Sequence, residues 1–225
     1  MEENSLHCGV LLDAVLAGAA AFGASDSPSE VWSKERLANL SADDVDGLVL
    51  LVNRWRTRYP SSADSRASLL AAFRSIVPNL QSLVGARLAG ADFDGETGDH
   101  ADAAFTAVVG ANPRKGLTAA SKFLHVVNPE LFVMWDAFIR PGCGITSSPG
   151  ELNPPVSAYA RVFLPRMQLI VRRVLREYAE RHGVTVPEAE TALCPPGCTL
   201  AKLVDEYNYA RFTLRDPAVW AAEYA

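Results

Sequence analysis

Apolar residues in this chain recur three and four apart, and almost nowhere do they alternate. Val45, Leu48, Val49, Val52 and Trp55 form one such series, and Leu69, Leu70, Phe73 and Ile76 another. That spacing places side chains on one face of an α-helix. Alanine is abundant and strand-like runs of Val, Ile and Thr are scarce, which leaves a sheet without support. Prolines and glycines cut the periodic stretches into roughly nine to eleven helices. The expected fold is all-α: one compact domain over residues 1–225, two-lobed, with lobes at 1–100 and 101–225 and a hairpin region at 111–140. An apolar share of 49% against 21% charged residues suits a globular core of that kind.

Several helix boundaries carry their own signal. Ser41-Ala-Asp-Asp44 is a capping sequence with acids in the first turn, where the helix dipole favours them. Ser27 or Ser29, Asp64, Thr199 and Asp216-Pro217 mark further starts. Pro78 breaks one helix, and Pro165 kinks or restarts the long one expected over 156–181. Residues 90–100, GADFDGETGDH, read as an exposed acidic loop, because the acid spacing does not fit a calcium loop.

The apolar run from Val10 to Gly23 contains Asp13 and is too short to cross a bilayer. Glu2 and Glu3 precede it, where a signal peptide carries positive charge. It reads as a buried first helix over 6–22. The expectation is a cytoplasmic monomer with no membrane partner. Among the cysteines, Cys8, Cys143, Cys194 and Cys198, only the last two lie close together, across Pro-Pro-Gly. Metal binding would need two further ligands, and the histidines lie apart. The pair reads as a turn bearing two thiols, and neither metal nor cofactor is expected.

The net charge of −5 is unevenly spread. Residues 1–110 carry 8 basic and 15 acidic side chains, and residues 111–185 carry 10 and 5. Such segregation can steer a polyanion to one face. Arg172, Arg173, Arg176 and Arg181 read equally well as the solvated side of a long helix.

The chemistry concentrates between Gly116 and Arg140, GLTAASKFLHVVNPELFVMWDAFIR. Lys122 lies in the first turns of an apolar helix that Asn128-Pro129 ends. Trp135-Asp136 is expected to start the next helix, which runs through Arg140. Asp136 would then meet backbone N–H groups at a helix N-terminus. Charged groups in apolar surroundings are paired, solvated in a cleft, or used. A buried Lys122–Asp136 ion pair is the structural alternative.

Ser121-Lys122-Phe123-Leu124-His125 followed by Met134-Trp135-Asp136 resembles the active-site region of helix–hairpin–helix DNA glycosylases. In place of that family's Leu-Pro-Gly-x-Gly hairpin the chain has Asn112-Pro-Arg-Lys-Gly-Leu117. The similarity covers about residues 101–180, and the Asp205-Glu-Tyr-Asn208 helix extends it. It implies an enzyme that flips a modified base out of double-stranded DNA and excises it, leaving an abasic site. Asp136 would stabilise the oxocarbenium-like transition state, and Lys122 would hold it or form a Schiff base. Arg114, Lys115, Gly116 and Arg140 would contact DNA. Trp135, Phe138, Tyr207 and Asn208 would form the base pocket, with Tyr209 a further stacking surface. A hypermodified base of phage DNA, as in small bacterial defence glycosylases, and an oxidised purine are the substrates so implied. The alternative is a non-catalytic nucleic-acid- or protein-binding module on the same helical fold.

Overall fold

The structure, a computed structural model, describes residues 11–21, 30–112, 116–151 and 153–223. Among these residues every regular element is helical, and the fold is all-α. The helices are α1 (Leu11–Ala20), α2 (Lys34–Ala38), α3 (Ala42–Arg54), α4 (Ala63–Ser75), α5 (Val77–Ser82) and α6 (Glu96–Ala111). There follow α7 (Gly116–Val127), α8 (Ile139–Gly142), α9 (Leu164–His182), α10 (Val186–Leu193), α11 (Leu200–Asn208) and α12 (Pro217–Glu223). None of them is long and apolar enough to cross a membrane.

The capping chemistry accounts for several starts. Ser41 Oγ accepts from Asp44 N–H while the Asp44 carboxylate accepts from Ser41 N–H, closing a capping box on α3. Thr199 accepts from Lys202 N–H at the head of α11, and Asp216 from Ala218 N–H at the head of α12. Pro78 opens a helix rather than closing one: α5 carries it in its first turn, where its missing N–H costs no bond. Residues 96–100 form the first turn of α6, not loop, with Glu96 and Asp99 favoured there by the dipole. The long segment 156–181 changes register at Pro165, where a π-helical stretch Tyr159–Phe163 passes into α9. A second π-helical stretch, Tyr209–Leu214, extends α11. The expected caps Ser27 and Ser29 lie outside the described residues.

Helices α3 to α7 pack among themselves, whereas α1 packs on α9, α11 and α12. The first described helix therefore joins the last ones, and the packing does not divide at residue 100. A Cβ on Gly18 of α1 would sit 2.6 Å from the Cα of Tyr207 in α11, so only glycine permits this approach. Both groups share one core. At its centre Trp135, Tyr159, Phe105 and Phe163 stack or meet edge to face, with Phe105 and Tyr159 centroids 4.0 Å apart.

Candidate active site

Residues 132–136 belong to no regular element, and the helix expected to start at Trp135-Asp136 begins only at Ile139. With no strand beside them, their backbone groups bond to side chains instead. His125 Nδ1 donates to Phe132 O at 2.6 Å, and Tyr159 Oη to Val133 O at 2.8 Å. Trp135 N–H donates to Ser121 Oγ at 3.2 Å, while its indole N–H reaches Leu117 O at 3.1 Å. Ser121 and His125 stand one turn apart on α7 and grip this segment together. Burial pushes the His125 imidazole down to about 4, so the neutral ring donates from Nδ1, and its Nε2 has no partner among the described residues.

The pinned segment delivers Asp136 to a fixed place. Its Oδ1 accepts from the N–H groups of Phe138 at 2.7 Å and Ile139 at 2.8 Å, and its Oδ2 from Thr213 Oγ1 at 2.7 Å. The carboxylate thus caps α8 from before its first residue. The π-helical stretch after α11 presents Thr213 to it.

Asp136 and Lys122 both open into one cleft of about 240 Å³. Trp55, Trp135, Tyr209, Met134 and Ile139 supply its apolar wall. Arg54, Arg56, Lys202 and Asp205 complete it. Lys122 Nζ donates to Trp55 O at 2.8 Å. Burial lowers the Lys122 ammonium below the usual lysine range, against the opposing pull of Asp205 and Asp136. Asp205, only 6% exposed, is pushed up to about 7 by burial, against the attraction of Lys202 and Lys122. Lys202 pairs with Glu206 one turn along α11, at 3.1 Å. The cleft therefore holds two amines and two carboxyl groups, and one of the carboxyls, Asp205, exchanges its proton with solvent near neutrality.

The other expected site residues fall in different places. Trp135 lines the cleft, although it is fully buried from bulk solvent. Arg140 stacks its guanidinium 5.6 Å from the Trp135 ring centroid and is not part of the lining. Phe138 is 58% exposed and lies outside the cleft. Tyr207 and Asn208 face the core: the Tyr207 hydroxyl donates to Glu223, and the Asn208 amide lies against Met167 Sδ. Gly116 is buried at the start of α7, where a Cβ would come 2.9 Å from Val109 Cγ1 of α6, so its role is packing. Arg114 and Lys115 lie outside the described residues. The arginines of α9 are engaged within the chain: Arg172 on Ala89 O, Arg173 with Glu177, Arg176 on Arg172 O, Arg181 with Asp13.

Cys194 and Cys198 line a separate cavity of about 390 Å³, with Arg87, Glu130 and Glu190 around it. No group of three or more His, Cys, Asp or Glu among the described residues could hold a metal ion.

Sequence reasoning placed Lys122 and Asp136 but did not bring Arg54, Trp55, Arg56 or Lys202 to them. The basic run Arg54-Trp-Arg-Thr-Arg58 at the end of an amphipathic helix was the available signal. No family model, curated protein or solved structure matches this chain.

Proposed function

We propose that this protein is a DNA N-glycosylase that takes an extruded base into the cleft and excises it. The carrying observation is that Asp136 and Lys122, separated by a proline break and an irregular segment, open into the same cleft beside aromatic rings. At about 240 Å³ the space is below the roughly 300 Å³ usual for drug-sized ligands and suits a single planar heterocycle. Trp55 and Tyr209 supply stacking surfaces, and the resemblance of the Lys122 and Asp136 segments to helix–hairpin–helix glycosylases points to the same chemistry.

In this mechanism the departing base leaves positive charge on the deoxyribose. The Asp136 carboxylate, held by two backbone N–H groups and Thr213, cannot swing away and stabilises that charge without reorganising. Lys122, with its protonated form disfavoured by burial, attacks C1′ to give a Schiff base, or holds a water there. Asp205 takes up or returns the proton, because its carboxyl titrates near neutrality. A modified base of phage DNA and an oxidised purine are the candidate substrates.

A second reading has its own support. The three bonds to Asp136 and the Lys122–Trp55 bond also satisfy both groups structurally, as a binding cleft without chemistry would. Incubation with duplexes bearing different modified bases, followed by alkaline cleavage at abasic sites, separates the two. The glycosylase reading requires product from at least one duplex and its loss in Asp136→Asn. Borohydride trapping tests Lys122: an adduct identifies the Schiff base, and product without an adduct leaves the amine a positioning role.

A further inference from the structure

The turn after α3 reads Arg54-Trp-Arg-Thr-Arg58. All three arginines are exposed, and none has a side-chain hydrogen bond or ion pair among the described residues. Seven other arginines pair with carboxylates. Arg74, Arg166, Arg172 and Arg176 bond to carbonyl oxygens. Of the described arginines, that leaves without a hydrogen bond or ion pair only the three of this turn, Arg140, which lies over the Trp135 ring, and Arg215; of the turn's three, Arg54 and Arg56 stand on the cleft itself.

The backbone of this turn is unusual as well. Arg56 and Arg58 adopt φ of 58° and 55°, the left-handed region that side chains disfavour. The conformation is held from several sides. Asn53 brackets it, accepting from Tyr59 N–H at 2.7 Å and donating to Tyr59 O at 3.1 Å. Thr57 Oγ1 donates to Val52 O at 2.6 Å, and Lys122 Nζ to Trp55 O at 2.8 Å. The Tyr59 ring sits edge-on to Phe123, next to Lys122 on α7, at 5.0 Å. A mere connector between α3 and α4 requires neither three like charges nor two strained residues. A preformed anion grip uses both the charge and the fixed backbone, since guanidinium forks match phosphate oxygens and a rigid loop loses little freedom on binding.

We propose that this turn grips the phosphodiester backbone of the strand whose nucleotide enters the cleft. Arg54 and Arg56 hold the phosphates at the lip, and Arg58 reaches the next one outward. The inference rests on the cleft taking a nucleotide of DNA. Because Lys122 bonds to the carbonyl of Trp55, the grip and the amine share one rigid frame.

The test is a salt titration of binding to a short fluorescein-labelled duplex that contains a tetrahydrofuran abasic analogue. The variant combines Arg54→Ala, Arg56→Gly and Arg58→Gly. Glycine accepts the left-handed backbone, so the melting temperature holds or rises. Affinity should fall at least about tenfold, and the slope of log K against log salt should shrink by about two to three, near 0.9 per lost phosphate contact. Arg172→Ala, whose guanidinium is already engaged, should leave the slope unchanged. A folded triple variant with the wild-type slope overturns the grip, whether or not the wild type excises a base. So does a wild type with no salt-dependent binding to the duplex. A reduced slope with no abasic product from any duplex sustains the grip and removes the glycosylase reading instead.

Discussion

Two cavities of this protein make opposite use of charge. The larger, about 390 Å³, is bordered by Cys194 and Cys198, and its charges are matched: Arg87 pairs with Glu130 at 3.1 Å and Glu190 at 3.4 Å. The smaller, about 240 Å³, holds a depressed amine and a raised carboxyl beside two arginines that have no hydrogen-bond or ion-pair partner among the described residues. Size alone would favour the first. Electrostatic dissatisfaction favours the second, because a site that must act on another molecule keeps unspent interactions for it.

The sharpest way to break the comparison is Asp136→Asn. The amide oxygen still caps Phe138 and Ile139, so the fold should lose only about 1 kcal/mol in denaturant unfolding. Excision should fall by about two to three orders of magnitude, as measured by abasic-site cleavage under single turnover.

Next in size is a pH effect from Asp205. Its folded carboxyl titrates near 7 against 3.8 in the unfolded chain, so the folded state holds the proton longer. Stability is full below about pH 4 and declines as pH rises towards 7, by about 4 kcal/mol in all. Lys202 and Lys122 oppose this shift, while Glu206 and Asp136 add to it. Asp205→Asn should flatten that part of the profile and be more stable than wild type at pH 8, measured by urea unfolding across pH.

The thiols of the larger cavity offer a finer test. The hydrogen bond between them raises the Cys194 thiol and lowers that of Cys198. Burial lifts Cys143 to about 11. Iodoacetamide at neutral pH should label Cys198 ahead of both, by about tenfold or more, as read by peptide mass spectrometry. Cys198→Ser should leave excision unchanged.

Smallest of all should be Arg87→Ala. Its guanidinium side chain is 61% exposed, so its two ion pairs contribute about 0–1 kcal/mol, and neither excision nor duplex binding should move. A larger change in either would shift functional weight to this cavity.

The sequence showed the helices wherever periodicity and capping agreed, as at Ser41 and Thr199. It misled where a polar signal was absent. Residues 132–135 are apolar without a period, and their irregular course is held by His125, Ser121 and Tyr159, which are distant or read as helix interior. Lys122 and Asp136 were legible because charges stand out in apolar runs. Asp205 was not, since an acid on an amphipathic helix looks solvated until tertiary packing buries it. The Arg54–Arg58 turn looked like a helix end, because its left-handed backbone depends on Asn53 and Lys122 rather than on glycine.

The seating of Gly18 on Tyr207 sets a timetable for synthesis. α11 is translated about 180 residues after α1. At ordinary elongation rates α1 therefore waits roughly 10–35 s for its docking partner. Until α9 and then α11 and α12 emerge, Leu12, Val15 and their neighbours lack the native surfaces that cover them, so the nascent chain is most exposed to aggregation at its oldest end. The packing that completes the fold is also the last to become available.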